Sequence, residues 1–389
     1  MIIIDVNSWH TFAGSLVILK AYIIQMKKGF LFLGCVIVIS IVTIIGCSKS
    51  NGSDTGKEPE GTTDTFKIAM LTNYADTLIT LAYTDLQQKL LSLETAANAF
   101  VTTPSVGTQN TLKTSFKDAY TSFEKVSFVY FGPAGSLSFN ANVNTFPTST
   151  SRIESGITSG TYNFTSAPSS DSIQGFPALD YLFFSSSAIT QFANPGAANR
   201  KKYVQDIITR MKSLVDNVLN QWKTTYRTGF IANTKLDVGS SMGYLINQMA
   251  YEMDQMKGPR IGWPLGKQSG GVAFPTNCEG YYGGFSAALA VANLTNLKNY
   301  YTGGSGRGID DYLVLLNRSD LNSTVMNRFA AAINALQAIP EPMSASFTNS
   351  DKTFVEDAYT KVQLLLTSIK TDLASATSIR ITYQDSDGD

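Results

Sequence analysis

Apolar residues recur at steps of three and four along most of the chain beyond residue 65, the spacing of one buried helix face. Ile68, Leu71, Ala75, Leu78, Ala82, Leu86, Leu90, Leu93, Ala97 and Phe100 fall on one stripe of a long helix, which Pro104 and Gly107 are expected to end. A second helix is expected over 108–130. Tyr203, Ile207, Met211, Leu214, Val218 and Trp222 seed a third, and Phe354, Ala358, Val362, Leu365, Ile369 and Leu373 repeat the spacing near the carboxyl end. Segments 242–256, 286–301 and 321–336 are shorter candidates. Only 379–383 alternates with period two, so the expected class is all-α, built from long antiparallel helices. Two stretches, 131–172 and 258–284, break the pattern. They are rich in Gly, Ser, Pro and aromatics and too long for simple connections, which marks them as functional or locally structured.

The first 46 residues follow a different rule. Met26, Lys27 and Lys28 form a basic start, Phe30 to Ile45 is an apolar run, and Ile44, Ile45, Gly46 and Cys47 close it, the layout of a secretory signal ending in a lipobox. An uncleaved transmembrane helix would want about 20 apolar residues with few interruptions. The expectation is a lipoprotein cut before Cys47, whose lipidated thiol and acylated amino group anchor it. Met26 is the expected start, which makes the upstream residues an over-extended reading. Ser48 after the cysteine points to the outer membrane, on its periplasmic or cell-surface face. Residues 47–64 are polar and rich in Gly, Ser and Thr, the composition of a flexible tether.

Removal of residues 1–46 leaves 27 basic and 29 acidic side chains. Such a balance gives no basic footprint for nucleic acid. The only histidine is His10, upstream of the expected start, so the mature chain has no imidazole for catalysis or metal binding. Of three cysteines, only Cys278 is neither in the signal nor lipidated. One thiol builds no disulfide framework or CxxC metal site, and without histidine to activate it a buried, inert thiol is expected.

Several blocks then resemble a family. Phe131, Gly132 and Pro133 follow a helix bearing Tyr120 and Glu124; Val143, Asn144, Thr145, Phe146 and Pro147 come next; then Gly175 to Phe184 reads GFPALDYLFF. Arg260 and Ile261, Pro264 and Leu265, and the ending 381–389 continue the order. The chain resembles the imelysin-like proteins across nearly all of its mature length. The resemblance implies two helical bundles, here 65–230 and 235–389, with the family's GxHxxE motif in a cleft between them. It also implies either a metallopeptidase, as the family's first member was described, or a role in iron or haem uptake. In this chain Gly175 keeps its motif position, but Pro177 stands at the histidine position and Asp180 at the glutamate position. Histidine and glutamate three apart on a helix converge on one ion or water. Proline offers no ligand yet is tolerated in a first helical turn. The motif is therefore expected to be kept in structure and degraded in chemistry.

Without histidine, only oxygen ligands could serve a hard cation. Glu124, Asp180, Glu252 and Asp254 are the candidate carboxylates, with surface charges or salt bridges as the alternative. Arg260 is a candidate partner for a buried carboxylate or an anionic ligand. Asp385, Asp387 and Asp389 alternate like the start of a calcium loop, against a solvated acidic tail. Phe274, Tyr281, Tyr282, Tyr130 and Phe131 could line a groove or simply pack. No catalytic residue, metal ligand set or cofactor is expected. The favoured function is a non-enzymatic envelope lipoprotein that binds a ligand or partner in iron or haem acquisition, with iron or haem uptake proteins as candidate partners. The alternatives are an imelysin-type metallopeptidase and a structural or adhesive surface lipoprotein.

Overall fold

The computed structural model describes residues 60–383. The expected signal, the expected lipidation site Cys47, most of the expected tether and Asp385 to Asp389 lie outside them. Among the described residues the structure is helical and holds no strand, and no helix is long and apolar enough to cross a membrane. Residues 379–383, which alternate in sequence, run extended without forming a ladder. Asn247 holds them through its side-chain amide, donating to the Arg380 carbonyl at 2.9 Å and accepting from the Thr382 N–H at 2.7 Å.

Helix α1 (Glu60–Asn73) begins inside the stretch expected to be tether. It runs through a π-helical turn, Tyr74–Ile79, into α2 (Thr80–Thr102). A π-turn holds more residues than an α-turn, so the apolar stripe does not continue in a strict three-and-four rhythm across it. That is why Ile68, expected in the core, is exposed, while Met70, Tyr74, Ile79 and Tyr83 are fully buried. Phe354 is a second expected core position that proves exposed.

Ser105 starts α3 (Val106–Phe123) with a capping box. Its hydroxyl accepts from the Thr108 N–H at 3.2 Å, and the Thr108 hydroxyl accepts from the Ser105 N–H at 3.1 Å. Such a cap contributes about 1 kcal/mol and carries Gly107, expected as a terminator, into the first turn. Helix α3 ends at Phe123, short of the expected residue 130, and tight turns take over from Glu124 to Phe128. The remaining long helices are α4 (Gly175–Phe184), α5 (Ala198–Gln221), α6 (Ser241–Gln255), α7 (Ser286–Thr302), α8 (Ser319–Gln337) and α9 (Lys352–Thr367).

Helix α2 packs on α3 and α5, whereas α8 packs on α7 and α9, and α6 lies against α9. Helix α7 also touches α3, and the described residues cluster as one compact unit. Aromatic contacts fix α4 against α3. Tyr120 stacks on Phe176 with ring centroids 4.4 Å apart, and Phe116 meets Phe176, Phe183 and Phe184 edge-on. Phe285, just before α7, joins the group at 6.0 Å from Phe116. Each such pair adds about 0.5–1.5 kcal/mol beyond its buried area. The irregular stretch after α3 holds short helices Gly132–Ser136, Phe139–Asn144 and Thr150–Ser159. Beyond α6 the helix continues through another π-turn, Met256–Gly262, with Pro259 inside it, before the glycine-rich loop.

Candidate functional site

Gly175 opens α4 at φ +73°, and a Cβ there would stand 2.2 Å from the Val143 carbonyl oxygen. Only glycine fits both the left-handed backbone and that approach. Pro177 lies in the first turn of α4, as expected, where a missing N–H costs little. One turn on, Asp180 is buried, and its two carboxylate oxygens accept from the N–H groups of Tyr282 and Gly283, each at 2.8 Å. Burial pushes this carboxyl up to about 7, against the pull of those two N–H groups and of Lys113. Both oxygens of Asp180, a candidate cleft residue, pin the glycine-rich loop to α4. A cleft of about 370 Å³ opens over it, lined by Pro177, Asp180, Cys278, Tyr281 and Tyr282. Burial pushes the Cys278 thiol up to about 12, so it stays protonated and unreactive at neutral pH.

The other candidates converge elsewhere. Glu124 follows the last residue of α3, Glu252 lies on α6, and Arg260 sits in the π-turn that extends α6. Residue 260 is eight positions past 252, which in a regular α-helix overshoots two turns by about 80°. The wider π-turn rotates less per residue and returns Arg260 toward the face of Glu252. The guanidinium donates through Nη2 to Glu124 Oε2 at 2.9 Å and lies 3.6 Å from Glu252 Oε1, while Nη1 donates to Glu279 Oε2. All four side chains are at most 5% exposed. The alternative of surface charges for Glu124, Glu252 and Asp254 fails, because all three are buried.

Three carboxylates around one guanidinium leave an excess of negative charge. Burial works against the arginine's charge, but Glu124, Glu279 and Glu252 outweigh it and hold its pKa above the ordinary value. Glu124 moves the other way. Burial, opposed by Arg260 and reinforced by Glu279 and Glu252, raises its carboxyl well above the usual range, and a hydrogen bond with Glu279 favours its protonated form. Neutral groups complete the cluster. Ser127 donates to Glu252 Oε1 at 2.9 Å, and the Asn293 amide donates to Glu124 Oε2 at 2.8 Å and also reaches Glu252. Asn144 donates to Glu279 Oε1 at 2.6 Å and accepts from the Tyr120 hydroxyl. Tyr120 and Asn144 thereby tie the cluster to α3 and to the block preceding the cis Phe146–Pro147 bond.

Glu279, Asn293, Ser127 and Asn144 were not singled out from sequence as site residues. Two signals pointed to them. Glu279 is the only acidic residue in the glycine-rich loop 258–284, and Asn293 interrupts the buried stripe Leu289, Ala290, Leu294 and Leu297 of α7. Of the aromatic candidates, Tyr281 and Tyr282 line the cleft over Asp180, Tyr130 lines a second cleft beside Arg260, Phe131 is core, and Phe274 is exposed.

The metal that a peptidase of this type would need does not fit these residues. Pro177 has no donor, both oxygens of Asp180 are engaged by backbone, and the three glutamates are drawn to a guanidinium. Among the described residues no group of three or more His, Cys, Asp or Glu side chains is arranged to hold a metal ion.

Comparison with known proteins agrees with this arrangement of helices. The crystal structure of a protein named as an iron-regulated protein A precursor, from Parabacteroides distasonis, superposes with a TM-score of 0.68 at 18% identity, covering 84% of this chain and 97% of that one. An imelysin-like protein from Psychrobacter arcticum gives 0.65 at 19% identity, covering 82% and 98%. In sequence, iron-regulated protein A of Synechococcus elongatus is 19% identical over 341 residues, 84% of this chain and 87% of that protein. The family model described as imelysin, Peptidase_M75, matches residues 79–369, from the last residue of the first π-turn to just beyond α9. With that match over most of its length and the motif frame held by Gly175 and α4, the chain belongs to the imelysin family.

Proposed function

We propose that this protein is a non-enzymatic lipoprotein of the cell envelope that binds a ligand or partner in iron or haem acquisition. One observation carries the non-enzymatic part: the carboxylates that could have held a catalytic metal converge on Arg260, a cation that belongs to the chain itself. A hydrolytic metal needs an open coordination position beside neutral nitrogen or free carboxylate donors. The mature sequence has no histidine to provide the first, and the guanidinium occupies the second. The iron connection is supported by the likeness to proteins named iron-regulated protein A. The envelope location is supported by the lipobox ending at Cys47.

The test uses the purified mature chain and a deletion strain. The protein is expected to hydrolyse no peptide in an EDTA-sensitive way and to bind zinc or ferrous iron no tighter than tens of micromolar. Pro177→His is expected to raise that affinity. The deletion strain is expected to grow more slowly only when iron or haem is limiting. Submicromolar zinc binding by the natural protein, or chelator-sensitive peptide cleavage, would overturn the non-enzymatic reading. Growth unaffected by iron or haem supply would remove the acquisition role.

A further inference from the structure

A second cleft of about 260 Å³ opens onto the arginine cluster. Its charged lining residues are Glu252 and Arg260, and its walls include Tyr130, Phe146, Tyr251 and Trp263. The first three aromatics are half-buried and Trp263 is exposed at the rim. The two charged groups are not equally available. Arg260 donates to Glu279 and Glu124, neither of which lines the cleft. Glu252 offers Oε1 to Ser127 and Asn293, while its Oε2 accepts no hydrogen bond from the described residues, although the side chain is only 3% exposed. That oxygen is left open to a donor that enters the cleft. The excess of carboxylates over guanidinium favours a cation there and disfavours an anion.

We infer that this cleft binds a small organic cation, an alkylammonium or alkylguanidinium group, with Glu252 Oε2 accepting its N–H and the aromatic walls facing its charge. A hard metal ion wants six or more oxygens, more than Glu252 Oε2 in the cleft and the unpartnered Glu124 Oε1 and Asn293 Oδ1 of the cluster supply. Aromatic faces stabilise organic cations without needing to strip them to a bare ion. The volume lies below the about 300–1,000 Å³ typical of drug-sized ligands, which suits a cationic head with a short chain. This inference rests on the reading of the protein as a ligand binder and names the class of ligand.

The experiment is calorimetric titration of the full mature chain with n-butylammonium and n-butylguanidinium chloride at fixed ionic strength. Neutral n-pentanol, sodium butyrate and calcium chloride serve as comparisons. Either cation is expected to bind at least tenfold tighter than pentanol or butyrate. Glu252→Gln is expected to weaken it at least tenfold, and Trp263→Ala about threefold, as loss of an exposed cation–π contact implies. Because Glu252 helps hold the core, the rim variant keeps the test valid if Glu252→Gln loses helix by circular dichroism. A lysine-bearing alanine peptide that binds tenfold tighter than butylammonium would assign the cation to a protein side chain; no gain would assign it to a free amine. Pentanol or butyrate binding as well as the cations, calcium binding tighter than either, or cation binding unchanged in both variants would overturn the inference. Absence of cation binding by a protein that also binds no zinc and cleaves no peptide would sink this inference alone and leave the non-enzymatic reading intact.

Discussion

Two buried carboxylate sites lie within the same fold and are neutralised in opposite ways. Asp180 is held by main-chain N–H groups of one loop, whereas Glu124, Glu252 and Glu279 are held by a side chain from a fourth segment, Arg260. The first arrangement fixes a loop to a helix and could be built from neighbouring elements. The second gathers the end of α3, α6 and its extension, the glycine-rich loop and, through Asn293, α7. Both make acidic residues structural and both border a cleft, but only the second leaves a carboxylate oxygen in its cleft that accepts no hydrogen bond from the described residues. The difference teaches that a family's motif position and its place of chemistry can separate once the motif loses its donor.

Removing the arginine is the harshest way to break the comparison. Arg260→Ala strands three buried carboxylates and is expected to destabilise the fold by about 3–5 kcal/mol, measured by urea denaturation at pH 7.5. The loss should shrink toward pH 4, where the glutamates can take up protons; an equal loss at both pH values would mean that the cluster is not what the arginine neutralises.

Asp180 sharpens the contrast through pH. Its carboxyl is pushed up to about 7, above the unfolded value near 3.9, so the folded state binds the extra proton between those limits. Its contribution is fully present below about pH 4 and is lost as pH rises through about 7, up to about 4 kcal/mol at 1.36 kcal/mol per unit. Asp180→Asn is expected to flatten that part of the stability curve between pH 4 and 7, whatever it does to the absolute value. An unchanged slope in denaturation midpoints would show that the two backbone hydrogen bonds outweigh burial.

Gly175→Ala addresses the frame beneath Asp180. The added Cβ meets the Val143 carbonyl and must adopt φ +73°, a strain of about 1–3 kcal/mol. A variant as stable as the natural protein by thermal melting would mean that residues 143–144 shift freely, which would loosen the Asn144 contact with Glu279 as well. The smallest effect is expected from EDTA. Since the counter-charge of the glutamate cluster is covalently part of the chain, chelation should change neither helical circular dichroism nor the unfolding midpoint; a marked loss of helix would reveal a structural metal.

Much of the fold was legible in the sequence. The stripes of α2, α5 and α9 and the break at Pro104 follow from three-and-four periodicity, which packing of long helices enforces. One failure has a clear cause. Ile68 was placed in the core because periodicity assumes 3.6 residues per turn, and the π-turn at Tyr74–Ile79 breaks that assumption. The site was half legible. Glu124, Glu252 and Arg260 could be nominated by residue type, but their meeting depends on how α3, α6 and the glycine-rich loop fold together, over separations such as 124 to 260 that no local pattern records. Asp180 was legible as a motif position, but not its hold on the glycine-rich loop, because the N–H groups that bind it come from residues 282 and 283.

The π-turn at Met256–Gly262 has a consequence for how such proteins change over time. Residue type at position 260 matters only while the helix before it carries its surplus turn. A one-residue deletion among residues 256–259 of that turn would swing the arginine by about 100° with every side chain of the cluster still encoded. The meeting of Arg260 with its glutamates is therefore open to loss by a single codon deletion, with no substitution at the cluster.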